Sequence, residues 1–379
     1  MEFQGHVLAE AVTTLPRELY VSDEIFEAER ERVFRTRWLA VGRTAEIPAT
    51  GDSLTGNPAG ESVLFVRGED REIRAFYNFC RHRGTRLCDD SRGRFPRGIT
   101  CPYHAWTYTL DGSLRSAPNM SDTPGFDRKD YPLLRAASGA WEGFLFTRLA
   151  SKGASLEQAL SPLLGRFAAW RLSELEPVRR VEYEVRANWK LLFQNFSECD
   201  HCPPVHPALA RLSHWKSGAN DLREGPILGG YMRIDREGGS LTSSGRSCGA
   251  PLGDLAREDR GRVYYYSIFP SLFLTVQPDF AMATRIDPVA PDATRVTSEW
   301  LFAPGTLESA GYDPEDGISL WDATNREDWH VCELAQRGVA SRAYVPGPYA
   351  TRESLLAAFD REYLSSLGDV AAAPPSVAL

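Results

Sequence analysis

Long apolar runs are missing from this chain. None approaches the roughly 20 residues needed to cross a bilayer, so no membrane span is expected. An excess of basic charge is missing too: 43 Lys and Arg stand against 51 Asp and Glu, for a net charge of −8 and a pI near 5.5. Binding nucleic acid needs a cationic face for the phosphates, so this balance argues against such a partner. The opening stretch MEFQGHVLAEAVTTLP has no basic start followed by an apolar core, and no secretory signal is expected. Cysteine is sparse, seven in 379 residues. An odd, small number in a long chain fits a reducing cytoplasm better than a disulfide framework. No G-x-G-x-x-G follows a strand-like run, so the chain is not expected to draw electrons from NAD(P)H unaided. There is no internal repeat, and the only biased segment is the tail GDVAAAPPSVAL, expected to be disordered. The composition agrees with a soluble enzyme, and 379 residues, more than one comfortable core, suggest two domains.

What is present is concentrated. Five of the fourteen Cys and His residues fall in CRHRGTRLCDDSRGRFPRGITCPYH, Cys80 to His104. Cys80 and His82 are one residue apart, Cys101 and His104 two apart, with a charged loop between the pairs. Two short ligand pairs on adjacent turns can converge on a metal. Zinc would accept two thiolates and two imidazoles, so the ligand set alone leaves the metal open. Zinc fingers usually pair Cys with Cys and His with His, whereas each pair here is mixed. A mixed pair suits a two-iron cluster in which Cys holds one iron and His the other. The stretch resembles the Rieske motif of ring-hydroxylating and related non-haem oxygenases, C-x-H then C-x-x-H. That resemblance assigns Cys80 and Cys101 to one iron, His82 and His104 to the other. Cys88 lies outside the pattern and reads as a small buried residue.

The text around this motif changes along the chain. Residues 22–34, SDEIFEAERERVF, read as an amphipathic helix capped by Ser22 or Asp23. From Trp38 to about Thr147 come short β runs with Gly, Pro and Asn turns, and LDGS is a hairpin signal. Residues 155–176 look helical and read as a connection. Longer strand-like runs follow, broken by helical text around 188–202 and again over 318–338. The expected fold is α+β: a small antiparallel β domain, then a larger helix-grip type domain with a curved antiparallel sheet. The expected divisions are 1–37, an N-terminal helical segment packing on the catalytic domain; 38–154, the cluster domain; and 155–379, the catalytic domain.

A second constellation is NWKLLFQNFSECDHCPPVHP, Asn188 to Pro207. Pro203 and Pro204 disfavour a regular helix there, so His201 and His206 should sit where a helix ends and the chain turns back. Two imidazoles and a carboxylate on one face of Fe(II) would form a facial triad. The stretch resembles the oxygenase motif N-x-x-E-x-x-H-x-x-x-x-H, with Asn195, Glu198, His201 and His206 on its positions. Both resemblances, in this order, are those of the oxygenase α-subunits. Where many members with similar wording carry an aromatic, this chain has Asp200. The third ligand must come from far away. In LWDATNREDWHVCELAQRG, Leu320 to Gly338, the family spacing of Asp, Glu and Gln-x-Gly falls on Asp328, Glu333, Gln336 and Gly338. Asp322 remains the rival. Cys199, Cys202 and Cys332 have no role in one open triad.

The resemblance implies a terminal oxygenase with a [2Fe-2S] Rieske cluster, a mononuclear Fe(II) and O2 as co-substrate. Electrons would come from NAD(P)H through a separate reductase or ferredoxin. It also implies a homotrimer or a multiple of one, in which the Glu198 carboxylate links His104 of one subunit to His201 of the next. Asn195 is carried over with Glu198 as catalytic. The wording is most like the branch that oxidises choline, glycine betaine and carnitine; a hydroxylase of aromatic or natural-product substrates is the alternative. A non-enzymatic Rieske carrier would not need His201, His206 and a late Asp together. Tyr264, Tyr265, Tyr266, Phe269, Phe273 and Phe280 could offer aromatic faces to a quaternary ammonium, or simply face the core in alternation.

Overall fold

The computed structural model describes residues 8–235 and 238–368; the tail expected to be disordered lies, but for Gly368, outside them. Two compact units divide the chain, one of Phe34–Ala159 and one that joins the N-terminal residues through Val33 to Leu160 and beyond. Among the described residues no helix is long and apolar enough to cross a membrane.

The N-terminal part carries α1 (Glu18–Val21) and α2 (Asp23–Glu29). Ser22 caps α2 by accepting from the Ile25 backbone N–H at 3.2 Å. The single helix expected over 22–34 is instead α2 followed by a π turn, Arg30–Phe34. The wider turn keeps Glu29, Val33 and Phe34 all buried.

The unit Phe34–Ala159 is built from short strands: β1 (Leu39–Arg43), β2 (Asp52–Gly56), β3 (Val63–Arg67), β4 (Ile73–Tyr77), β5 (Arg92–Arg94), β6 (Ile99–Thr100), β7 (Thr107–Tyr108), β8 (Leu114–Ser116), β9 (Arg135–Trp141) and β10 (Phe144–Arg148). Seven pair antiparallel in the order β1-β10-β9-β4-β3-β2-β5, and β6-β7-β8 form a second small sheet. The LDGS hairpin joins β7 to β8, with Gly112 at φ +90. Leu64, Phe76, Trp106 and Tyr108 pack with Cys80 and Cys101 in one apolar cluster beneath the ligand loops.

The helix expected over 155–176 is not continuous. It is α3 (Leu156–Ala159) followed by three separate 3-10 turns. Pro162 removes a donor, and Gly165 and Arg171 take positive φ, so the ladder cannot propagate.

The second unit wraps helices on a seven-stranded antiparallel sheet in the order β11-β17-β16-β15-β14-β13-β12. Its strands are β11 (Glu176–Val185), β12 (Ala219–Leu222), β13 (Ile227–Arg233), β14 (Arg262–Ile268), β15 (Leu272–Val276), β16 (Ala281–Ala290) and β17 (Ala293–Phe302). The helices are α4 (Trp189–Phe196), α5 (Cys202–Val205), α6 (Pro314–Val339) and α7 (Ser354–Leu367). α6 buries Ile318, Trp321, Asn325, Trp329, Cys332 and Gln336, a stripe at helical spacing. Gly317 admits the close approach of this helix: a Cβ there would meet Cys248 Sγ at 2.8 Å and Phe280 at 2.9 Å. α4 is held at its start by Asn188, which accepts from Lys190 N–H and whose own N–H donates to Gln336 on α6. The Lys190 ammonium and the Trp189 indole N–H both donate to fully buried Glu29 (2.6 and 2.8 Å), and Tyr363 of α7 adds a third donor. Breaking such a buried pair on one side strands a charge in the core, so the N-terminal segment is fastened to α4.

Candidate metal centres

In the first unit the ligand loops share one backbone form. Cys80 N–H donates to Thr85 O and its carbonyl accepts from Gly84 N–H; Cys101 N–H donates to Trp106 O and its carbonyl accepts from Ala105 N–H. Gly84 and Ala105, at matching positions, both take positive φ, +74 and +56. Two alike turns thus present two alike thiols, both buried. Burial pushes the Cys80 thiol up, and the Tyr108 hydroxyl lies 3.3 Å from its Sγ. His82 and His104 meet edge to face with ring centroids 4.8 Å apart, while His82 stacks on Trp106. The buried Nδ1 of His82 has no hydrogen-bond partner among the described residues. A buried ring nitrogen without a partner, beside two buried thiols, is what a metal ligand leaves when the ion is taken away. The four side chains form two pairs rather than closing on a single point, which suits a two-iron cluster better than one tetrahedral ion.

In the second unit α4 ends at Phe196 and the chain turns through His201 and His206, which flank the one-turn helix α5. His206 Nε2 lies 2.9 Å and His201 Nε2 3.3 Å from the same atom, Asp328 Oδ1 on α6. Among the described residues these three form the set of His, Cys, Asp and Glu that can close on one ion, their donor atoms lying within 4.8 Å of one another. Asp322 is placed elsewhere: it accepts from Tyr183 Oη at 2.6 Å and from Arg326 Nε at 3.0 Å. The far nitrogens are tied as well. His201 Nδ1 meets Glu198 Oε1 at 2.5 Å, and His206 Nδ1 meets Glu327 Oε2 at 2.7 Å. Burial opposes the charged form of His201, but hydrogen bonds and charges from Asp328 and Glu198 outweigh it and push it up to about 10. Burial likewise pushes Asp328 up, and the two imidazoles more than reverse that. A metal bound here would displace the proton that this arrangement attracts. Glu198 Oε2 also accepts from the Asp200 and His201 backbone N–H groups, and Asp200 accepts from Arg352 at 2.7 Å.

A cavity of about 160 Å³ opens against this triad, room for a molecule on the order of benzene's size. Asn195 lines it, with Phe196, Trp215, Tyr231, Tyr265, Phe273 and Trp321. Of the six aromatics expected as candidates in the 264–280 strands, only Tyr265 and Phe273 face it. Tyr264 and Tyr266 fall on the opposite face of β14, where they pack near Phe167 and donate to Asp259 and Asp221. Phe269 packs on Trp189 and Phe359, and Phe280 on Phe302. Cysteine chemistry needs one correction. Cys199 and Cys202 are joined by a disulfide with Cα atoms 5.0 Å apart, because the turn into α5 brings positions three apart to one side. One local bridge is not a framework; the other five thiols are free.

Residues 172–369 match the ring hydroxylating alpha subunit (catalytic domain) family, and residues 37–127 match the Rieske [2Fe-2S] domain. The chain belongs to the Rieske ring-hydroxylating α-subunit family. The glycine betaine monooxygenase oxygenase subunit of Chromohalobacter salexigens is 32% identical over 374 residues, covering 89% of this chain and 82% of that one. The carnitine monooxygenase oxygenase subunit of Acinetobacter baumannii is 37% identical over 340 residues, covering 87% and 86%. A quaternary ammonium Rieske monooxygenase solved with L-carnitine superposes with a TM-score of 0.78 at 26% identity, covering 94% of this chain and 95% of that one. Naphthalene 1,2-dioxygenase from Rhodococcus sp. shares the fold, with a TM-score of 0.75 at 19% identity over 94% of each chain.

As a Rieske oxygenase, the protein is an O2-dependent oxidoreductase with a [2Fe-2S] cluster and a mononuclear iron, served by a separate reductase. The residues present fit both groups. The sequence reading missed Glu327, although an acid directly before Asp328 on the same helix was a visible signal. It also missed Phe196, which sits at an unspecified position of the Asn195–His206 motif, and Trp215 and Tyr231, which lie outside any motif and reach the cavity only through tertiary folding.

Proposed function

We propose that this oxygenase subunit hydroxylates a small quaternary ammonium compound at an N-methyl or adjacent carbon, the resulting hemiaminal collapsing with demethylation or C–N cleavage. The observation that carries this reading is the cavity beside His201, His206 and Asp328. Its walls are aromatic, and its charged lining is mainly acidic: Glu198, Asp200 and Asp328 stand against one cation, Arg352, which pairs with Asp200. Aromatic faces attract a cation by about 0.5–2 kcal/mol each, most when dry. The relatives named for glycine betaine and carnitine oxidation support the same substrate class.

In this reading Cys80 and Cys101 hold one cluster iron, His82 and His104 the other, within residues 38–154. His201, His206 and Asp328 hold the mononuclear iron within 155–379. When bound, the cluster supplies electrons and the mononuclear iron the site of dioxygen activation. The chain's own part is to present Nε2 of both histidines and one Asp328 oxygen on a single face, leaving the cavity side open. Phe196, Tyr265 and Phe273 then hold the cationic head against that face and keep water away. Glu198 would accept from His201 on one side and from His104 of a neighbouring subunit on the other, in a homotrimer or a multiple of one. A structurally similar quaternary ammonium Rieske monooxygenase is described with inter-subunit electron transfer. A cytoplasmic location suits the need for a reductase and NAD(P)H.

The test is product analysis with a surrogate reductase and a panel of choline, glycine betaine, carnitine and aromatic acids. Product from an N-methyl cation, with about three irons per chain, is expected. Turnover of aromatic acids alone would overturn the substrate class.

A further inference from the structure

His206 sits between two consecutive acids of α6. Its Nε2 is 2.9 Å from Asp328 Oδ1 and its Nδ1 is 2.7 Å from Glu327 Oε2. Successive helix positions diverge by about 100°, so the two side chains pass on either side of the ring. The imidazole is 2% exposed and cannot turn without losing both partners. Among the described residues no Lys or Arg pairs with Glu327, whose one partner is His206.

We propose that Glu327 is a positioning residue for the mononuclear iron, acting through His206. The inference rests on reading His201, His206 and Asp328 as the ligands. A neutral imidazole carries its proton on one nitrogen, and an ionised carboxylate can only accept. Glu327 therefore holds the proton on Nδ1 and turns the Nε2 lone pair toward the point shared with His201 and Asp328. Glu198 does the same for His201. The two glutamates differ in their second oxygen. Glu198 Oε2 takes backbone N–H groups of its own loop, which also fixes that loop. Glu327 is on a long, unbroken helix that needs no such fastening, and its carboxylate is 42% exposed. Its contribution is orientation of one ring, and its loss should leave the fold standing.

The experiment is a competitive Co(II) titration of cluster-loaded protein from which mononuclear iron has been removed, with the ligand-field spectrum recorded. Glu327→Ala should bind Co(II) about 10–100-fold more weakly, as outer partners of metal-bound histidines do, with altered ligand-field bands. Glu327→Gln keeps one acceptor and should lose less. Glu315→Ala, on the same helix but paired with Arg179, should change nothing. Affinity and spectrum unchanged in Glu327→Ala would overturn the proposal; if that variant does not fold, unchanged affinity in Glu327→Gln does so. Asp328→Ala separates the two readings: if it also binds Co(II) normally, the ligand assignment itself has failed.

Discussion

The two candidate metal centres of this chain each bring two histidines together, and they do so by opposite means. In the first unit the Nδ1 of His82 is buried without a partner among the described residues, and its ring stacks on Trp106. At the mononuclear site the inward nitrogen is Nε2, and each Nδ1 is tied to a glutamate. The cluster histidines are steered by stacking and by short, alike loops; the others by charge. Among the described residues, Glu29, Asp279, Glu299 and Asp360 are buried in the catalytic unit, whereas the unit Phe34–Ala159 buries the cations Arg43 and Arg148 and one carboxylate, that of Glu46, which pairs with Arg92. The contrast is therefore local: the histidines of the catalytic unit are surrounded by carboxylates, whereas the two thiols of the first unit lie in an apolar cluster.

The largest effects should come from the ligands themselves and should respect that separation. Cys80→Ser or His104→Ala is expected to abolish the visible Rieske absorption while one iron per chain remains, read by metal analysis. Asp328→Ala should do the reverse, losing the mononuclear iron with the chromophore intact, and Asp322→Ala should keep both. A chromophore that survives Cys80→Ser, or iron lost from Asp322→Ala and kept in Asp328→Ala, would break the assignment at that centre.

That the cluster was the easier of the two to read follows from its geometry. Cys80 to His104 is one continuous stretch, and hairpin loops keep sequence neighbours together, so the spacing already set out the four candidate ligands that the fold gathers. The helix break at His201 to His206 was also visible, because Pro203 and Pro204 forbid a long helix. Asp328 lies 122 residues from His206 and shares its helix with Asp322, so only packing of α6 on the sheet decides which of them faces inward. Cavity walls were least legible: Tyr264, Tyr265 and Tyr266 read alike, and strand alternation sends only the middle one to the cavity. The connection at 155–176 misled because its apolar periodicity is helical while Gly165 and Arg171 adopt positive φ.

Next in size is Glu198→Gln, which tests whether the two centres communicate through this carboxylate. A carboxylate can accept from both imidazole N–H groups, whereas an amide offers one weaker acceptor and a donor that can face an N–H. Both metals should stay loaded and the oligomer intact. Re-oxidation of the cluster by substrate and dioxygen in a single turnover is expected to slow by at least about tenfold, which corresponds to about 1.4 kcal/mol. Reduction by the reductase should be normal. An unchanged re-oxidation rate would leave Glu198 as a loop-fastening residue only.

A smaller effect concerns buried charge behind α4. Burial pushes the Asp360 carboxyl up to about 6, against hydrogen bonds from Tyr349 and Gln194 that favour its charge. The unfolded chain releases this proton near 3.8, so between the two values the folded state holds more protons. The stability linked to the protonated form is complete below about pH 4 and is lost as pH rises through about 6, at most about 3 kcal/mol. Asp360→Asn should flatten that slope in urea unfolding measured from pH 4 to 7. A slope equal to the parent's would show that Asp360 is not where this unit stores its charge.

The smallest effect tests the claim that the cluster loops are one design used twice. Gly84 and Ala105 occupy matching positions at positive φ, and both are exposed. A Cβ at Gly84 would touch nothing within 4 Å, so Gly84→Ala changes only backbone preference. The left-handed region disfavours Ala by about 1–2 kcal/mol, and the stiffer unfolded chain returns about 0.4–1, leaving a loss of about 1 kcal/mol. Ala105→Gly runs the same two terms backwards and should stabilise by a similar amount. Thermal bleaching of the cluster should therefore shift in opposite directions in the two variants, and a double variant should return close to the parent midpoint. If both single variants bleach earlier, the Ala105 methyl makes a contact that matters and the loops are alike in trace only.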